Sequence, residues 1–296
     1  MDLNLFIQVF INGLLLGGIY ISIGIGFALV FGVLEIIDFA IGEYVMLGAF
    51  FGSVLAFAIG TDVVYLIPLV FVVFFVVGFV VQPLLHHVTT SDVHMPILMA
   101  LAFTYGIALF AQGGMLTIYG PGERRVPTEI ATGGVEVPGV GIFPTSRLMA
   151  GIFGIVAVLV LLYYLYYTDD GMAIRAIAED RTLAQLMGIN VKKYQSIAYG
   201  TYAGLTAVAG IFIGITFSVN AEMGLQYTMF AFFMVVLAGM GYLHGIILAG
   251  FILGVMQVMI STYVSGRHVF LLLFFFIYLV LVVSPQGIFG KGEVPT

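Results

Sequence analysis

Nine long apolar runs dominate this sequence of 296 residues and restrict it to few folds. The runs comprise residues 6–32, 35–59, 64–82, 95–113, 147–167, 194–217, 226–242, 245–262 and 268–284. Most of them suit one helical crossing of a hydrocarbon layer ~30 Å thick. With 62% hydrophobic residues, 8% charged residues and a mean hydropathy of +1.19, the chain is more apolar than any soluble domain of this size. The sequence therefore predicts an all-α, polytopic transmembrane helical bundle.

The first run predicts a membrane span that stays in the protein. Residues 1–5 lack the basic start of a signal peptide, and run 6–32 is too long for a signal-peptide core. Gly13 and Gly17 form a small-xxx-small pair, and similar glycine pairs recur in the later runs. Such pairs favour close packing of membrane helices, so we expect a tight bundle.

Several kinds of site are excluded or disfavoured by composition. The absence of cysteine excludes disulfides, thiolate metal sites and a cysteine nucleophile. The net charge of -6 is spread thinly over the loops, and no basic patch suits nucleic acid. His86, His87 and His94 are predicted in a short connection after Pro83 without spaced carboxylates, so no metal site is expected.

The sequence also lacks the short motifs that would indicate an enzyme. It contains no His-Glu-x-x-His, no Gly-x-Ser-x-Gly and no Gly-x-x-x-x-Gly-Lys-Ser/Thr phosphate loop. We therefore predict a protein that is not an enzyme and does not bind ATP through such a loop.

Residues 168–193 form a long charged segment among the apolar runs and read TDDGMAIRAIAEDRTLAQLMGINVKK. Apolar residues recur at helical spacing, which predicts one or two short amphipathic helices outside the bilayer. Asp169 and Asp170 suit a helix start, and Gly188 followed by Asn190 suits a helix end. The alternative interpretation is a solvated loop helix without a partner.

Run 35–59 carries three acids, Glu35, Asp38 and Glu43. A charge at mid-bilayer costs about 2.5 to 3.5 kcal/mol on insertion scales, so these acids need water, partners or a shallow position. Asp38 and Glu43 are therefore candidates for a translocation pathway. The alternatives are a helix that starts at headgroup level and a carboxylate held by a helix N-terminus for structure alone.

Residues 114–145 form the other long stretch outside the apolar runs. Their glycines and prolines, with alternating Val135, Val137, Val140 and Ile142, predict turns and a small β-hairpin. Only run 147–167 separates this stretch from the charged segment, so the two must lie on opposite sides of the membrane.

Three motifs resemble one transporter family. The first motif lies in the charged segment and resembles the cytoplasmic coupling region of permease subunits in branched-chain amino acid ABC transporters. It comprises Arg175-Ala176, Ala178-Glu179-Asp180 and Leu186-Met187-Gly188-Ile189. IDFAIGEYVMLGAF, at residues 37–50, resembles the family's Ile-Asn-Phe-Ala-His-Gly-Glu signature but departs from it at Asp38 and Ile41. SPQGIFG, at residues 284–290, resembles the family's closing turn.

The resemblance implies one permease domain over residues 1–296, of the ABC importer type, in a prokaryotic plasma membrane. Residues 114–145 would be an extracytoplasmic loop and residues 168–193 cytoplasmic coupling helices. Eight or nine segments would cross the membrane, and eight would require one early segment, such as 35–59, to be re-entrant. The implied ATPase-coupling residues are Arg175, Ala176, Glu179, Asp180, Leu186, Met187 and Gly188.

The implied partners are a second, related permease, two ABC ATPase subunits and an extracytoplasmic substrate-binding protein, all beside membrane lipid. The permease would bind no cofactor, because the partner ATPases would use the ATP. Its implied substrates are branched-chain amino acids, with urea, amides or other small polar solutes as the alternative. A secondary transporter or channel is a further alternative, but the sequence shows no convincing internal repeat.

Overall fold

The computed structural model describes residues 3–90, 95–138, 141–239 and 243–288, and its helices bear out the predicted all-α class. The helices are α1 (Leu3–Leu34), α2 (Ile41–Ile59), α3 (Ile67–Thr90), α4 (Pro96–Tyr119), α5 (Thr145–Tyr167), α6 (Asp169–Glu179), α7 (Arg181–Leu186), α8 (Val191–Thr216), α9 (Met223–Ala238), α10 (Leu243–Ile260) and α11 (Val269–Val283). Strands β1 (Gly134–Val137) and β2 (Gly141–Pro144) pair antiparallel and form the predicted hairpin, although Val140 lies outside the described residues.

The apolar helices follow the nine apolar runs of the sequence. Within the described ranges, seven helical stretches are long and apolar enough to cross a membrane. One of them, Leu243–Val283, contains both α10 and α11, and α9 is a shorter apolar helix. The chain is therefore a multi-pass membrane protein.

The end of α3 differs from the expected connection. Pro83 lies inside the helix, so the prediction that His86 and His87 occupy a loop was wrong. A proline removes only one backbone donor, and membrane helices tolerate that loss when neighbouring groups compensate. His94 lies outside the described residues.

Contacts at the ends of α1 and α2 define two faces of the bundle. On the hairpin face, Arg147 donates to Asn12 at 3.0 Å, near the start of α1. On the opposite side, named the coupling face after α6 and α7, Arg181 donates to the Leu34 carbonyl at 3.2 Å. The chain returns through α2 to the hairpin face, where Asp62 binds the loop before β1. Run 35–59 therefore connects the two faces and does not return to its starting face.

Helices α1 and α8 lie at the centre of the bundle. In each, 83% of the most apolar stretch is buried within the chain, against 17% in α4. Glycines permit the close approach: Gly17 of α1 packs directly on Gly254 of α10, and Gly204 of α8 packs on Phe71 of α3. The predicted small-residue packing is present, and the exposed apolar sides of the outer helices are suited to lipid or another apolar surface.

Candidate functional site: coupling helices and buried acids

The charged segment forms two short helices, as predicted, and side chains fix where each begins. Thr168 caps α6 by accepting from the Gly171 amide at 3.0 Å. Asp180 caps α7 by accepting from two amides, at 2.8 and 2.9 Å, which satisfies donors that a helix start leaves unpaired. Gly188, with φ of +84°, adopts the left-handed conformation that ends a helix. Asp180 thus has a structural task beside its predicted contact with a partner.

The two helices divide their apolar residues between two faces. Ile174 and Ile177 of α6 are buried against the bundle. The opposite is true of three apolar residues of α7 and its end, which face away from the bundle. They are Leu183, Leu186 and Met187, which are 60%, 78% and 84% exposed. These three residues form an exposed apolar group on the coupling face.

Three other predicted coupling residues lie on α6: Arg175, Ala176 and Glu179. Arg175 places its guanidinium 4.7 Å from the ring centre of Tyr166 at the end of α5. Ala176 is half-buried beside the core, and Glu179 is exposed at the end of α6. The cation–π contact therefore holds the Arg175 guanidinium against the end of α5.

Arg181 was not singled out by the sequence analysis. Its Nη2 donates to the carbonyl oxygens of Val33 at 3.5 Å and Leu34 at 3.2 Å, which are unpaired at the end of α1. Arg181 therefore joins α7 directly to the chain that leads into α2. No local motif marks this contact, which spans 147 residues of sequence between Arg181 and Leu34.

Asp38 lies in the turn before α2 and is fully buried. Its Oδ1 accepts from the Ala40 amide at 2.7 Å, and its Oδ2 accepts from the Tyr199 hydroxyl at 2.7 Å. The Tyr44 and Tyr199 hydroxyls are 3.3 Å apart, so the polar contacts continue onto α2. The backbone of the turn before α2 and a hydroxyl on α8 thus hold this carboxyl group.

Three tyrosine rings surround that carboxyl group. Tyr44, Tyr199 and Tyr202 contact one another edge to face, with ring centres 5.3 to 6.3 Å apart. The Tyr202 hydroxyl is buried beside the Asp38 carboxyl group, but it makes no hydrogen bond of normal distance and angle among the described residues. Because Tyr44 contacts the middle of α8, α2 begins inside the bundle rather than at its edge. The tyrosines are visible in the sequence, but their convergence is not.

Glu43 lies in the first turn of α2, is 5% exposed, and faces α9 instead of α8. Its carboxyl group packs against Gly224 in the first turn of α9, and an added Cβ on Gly224 would overlap it. Its Oε2 has no hydrogen-bond partner among the described residues. The partial positive charge of the α9 N-terminus favours an acid there. Asp38 and Glu43 therefore occupy separate surroundings.

Asp62 anchors the loop on the hairpin face. Its carboxylate accepts from the amides of Val64 at 3.0 Å, Glu129 at 2.7 Å and Ile130 at 3.1 Å, and from the Thr128 hydroxyl. Burial raises the pKa of Asp62, but these hydrogen bonds outweigh it and hold the pKa below its usual value. Asp62 thereby joins the end of α2 to the stretch before the hairpin.

Comparison with known proteins identifies a matching family. A profile described as branched-chain amino acid transport system, permease component, matches residues 9–283. The chain belongs to this family. Within the family it is 31% identical to the high-affinity branched-chain amino acid transport system permease protein LivH of Escherichia coli, over 98% of this chain and 97% of that protein.

Other family members are similar over comparable lengths. BraD of Pseudomonas aeruginosa, also named a high-affinity branched-chain amino acid transport system permease protein, is 28% identical over 98% of this chain and 97% of its own. A probable LivH of Methanocaldococcus jannaschii is 24% identical over 94% of this chain and 91% of its own. No solved structure matches the chain. The family is one of transport permeases rather than enzymes.

Proposed function

We propose that this chain is the membrane-spanning permease subunit of an ATP-driven importer that translocates branched-chain amino acids. The observation that carries the proposal is the exposed apolar group of α7 and its end, Leu183, Leu186 and Met187, on the coupling face of a chain of this permease family. Exposed apolar residues outside the membrane spans suit docking into a protein cleft. Import of urea, amides or another small polar solute by the same mechanism is the alternative.

The partners follow from the lack of an ATP-binding loop in the chain. Two ABC ATPase subunits would bind ATP and dock on α6 and α7, and their closure would move these helices as a rigid body. Arg175 and Glu179 would make charged contacts with the ATPases, while Leu186 and Met187 would enter the ATPase cleft. A second, related permease and an extracytoplasmic substrate-binding protein would complete the importer.

The contacts on the coupling face suggest how movement reaches the interior. Arg181 links α7 to the end of α1, and the following residues lead to Asp38 and then Glu43. A shift of α7 would therefore pull on the connection that carries both buried acids. We place Asp38 and Glu43 at the translocation pathway, where a change in their surroundings would open or close a passage between α2, α8 and α9.

The coupling assignment is tested by the double change Arg175→Ala and Glu179→Ala in the assembled importer. Both residues are exposed, so assembly in the membrane should survive while substrate-stimulated ATP hydrolysis is lost. The matched control changes Glu123 and Arg125 to Ala, an exposed pair on the hairpin face. Normal uptake by the coupling variant would refute the assignment.

The pathway assignment is tested at Glu43. Glu43→Gln keeps the shape and removes the charge, so transport should fall while the subunits still assemble. Because the chain has no native cysteine, Glu43→Cys can be probed with a membrane-impermeant thiol reagent in each nucleotide state. Unimpaired transport by the Gln variant together with no labelling from either side would assign Glu43 a structural role.

A further inference from the structure

A cavity of about 380 Å³ lies on the coupling face, apart from the two buried acids. The end of α1, α3, the start of α4, α7 and α8 line it. Among the described residues, Glu35 supplies a carboxylate, Arg181 a guanidinium and His86 an imidazole. The volume is within the range of small-molecule sites, which usually combine an apolar lining with a few placed polar groups.

The two charged residues are of opposite sign, and neither is in an ion pair within the described ranges. Glu35 has φ of +56°, the only positive φ outside glycine among the described residues. Such strained backbone is often found at functional sites, because the surrounding structure must hold it in place. Arg181 uses Nη2 on the carbonyls of Val33 and Leu34, and a guanidinium has further donors for a carboxylate.

The rest of the described lining combines polar side chains, including Gln82, Gln195, His86 and Thr89, with an apolar wall. Gln82 and Gln195 are buried, and the Gln82 Nε2 donates to the Gln195 Oε1 at 3.4 Å. Ser196 Oγ donates to Gln82 Oε1 at 2.7 Å and fixes the amide further. Leu85 and Ile97 contribute to the apolar wall. An anionic group, a cationic group, amides and an aliphatic surface therefore meet in one cavity.

We propose that this cavity binds an aliphatic α-amino acid as its zwitterion, from the coupling face. Glu35 receives the ammonium group, Arg181 the carboxylate, and the apolar wall the side chain. The choice of an aliphatic amino acid rests on the proposed function. The bound carboxylate takes the remaining donors of the guanidinium whose Nη2 holds the Val33 and Leu34 carbonyls. Because it pulls on the same side chain, occupancy alters the link between α7 and α1. An amino acid that accumulates on the coupling face would thereby slow its own import.

Cysteine protection in the purified, assembled importer tests the cavity without requiring transport. Ile97→Cys places a thiol in its wall, and labelling of this chain by a maleimide is followed with and without leucine. Leucine at about ten times its Kd should slow labelling about tenfold. 4-Methylpentanoate, which lacks the ammonium group, and 3-methylbutylamine, which lacks the carboxylate, should not protect. Val137→Cys in β1 is the control site, and leucine should leave its labelling unchanged.

The same labelling assay then tests the Glu35 carboxylate. Glu35→Gln in the Ile97→Cys background should remove protection, whereas Glu136→Gln on the hairpin face should retain it. Absence of protection by leucine, equal protection by either single-charge analogue, or protection only by anionic phospholipid would overturn the cavity proposal. Leucine uptake by the unaltered importer tests the proposed function separately, so failure of one proposal is distinguishable from failure of the other.

Discussion

The Asp38 contact predicts a difference between two tyrosines that lie one helical turn apart on α8. Tyr199→Phe removes the hydroxyl that donates to Asp38 at 2.7 Å, which leaves the Ala40 amide and the less well placed Tyr202 hydroxyl beside the buried carboxyl group. Tyr202→Phe removes a hydroxyl that lies beside Asp38 without a well-formed hydrogen bond. Both substitutions keep the ring and hence the packing of the cluster.

The expected magnitudes follow from those partners. Leaving a buried polar group unsatisfied costs about 1–3 kcal/mol in proteins generally. Hydrogen bonds measured between membrane helices average about 0.6 kcal/mol and reach about 1.7 kcal/mol. We therefore expect Tyr199→Phe to lower the free energy of unfolding by about 1–2 kcal/mol, near the upper end because Asp38 is fully buried. Tyr202→Phe should cost clearly less than Tyr199→Phe, because the Tyr202 hydroxyl lies beside Asp38 but makes no well-formed hydrogen bond to it.

Reversible unfolding in mixed micelles, by titration with a denaturing detergent, measures this difference. The comparison is between the two Phe variants, since their changes in volume and hydrophobicity are the same. Equal destabilisation by the two substitutions, or a larger loss in Tyr202→Phe, would refute the argument that the Tyr199 hydroxyl holds the Asp38 carboxyl group.

Three further predictions concern packing, the loop on the hairpin face and the coupling helices. Gly42→Ala would drive a Cβ into the Gly224 carbonyl and should abolish correct assembly, measured by size-exclusion chromatography, while Gly106→Ala has open space and should be tolerated. Asp62→Asn should mobilise a spin label attached near β1. In the unaltered loop the same mobility should appear only at acidic pH. The folded loop lowers the pKa of Asp62, so the carboxylate stabilises the loop fully at pH values above the ordinary carboxyl pKa. That stabilisation is lost as the pH falls through the lowered pKa of Asp62. Met187→Asp should prevent co-purification with the ATPases, because it places a charge in the exposed apolar group; unchanged co-purification would contradict the docking surface.

Patterns within a few residues predicted much of the fold. The nine apolar runs gave the apolar helices, and the spacing within residues 168–193 gave α6 and α7, since helix periodicity and end signals are local. Glycine spacing similarly predicted that a helix packs closely on α1, although it did not identify that helix as α10. Pro83 misled the interpretation of α3, because local propensity does not show whether neighbouring helices compensate for a lost hydrogen bond.

The contacts of the buried acids could not be predicted from such local patterns. Asp38 was recognised as an acid needing a partner, but its partner Tyr199 lies 161 residues away. The link from Arg181 to Leu34 is similarly distant, and an arginine in a charged segment has no distinctive sequence signal. Such contacts depend on the order in which helices pack, which hydrophobic periodicity does not determine.

The most direct test of the central proposal is ATP-dependent uptake of radiolabelled leucine. The chain is reconstituted in proteoliposomes with its partner permease and ATPases, with the substrate-binding protein supplied on the side of the hairpin face. The proposal predicts leucine accumulation that requires ATP, the ATPases and the binding protein, and that is lost with Arg175→Ala and Glu179→Ala. Leucine uptake by the chain without ATPases, or no leucine uptake by the complete assembly, would contradict it.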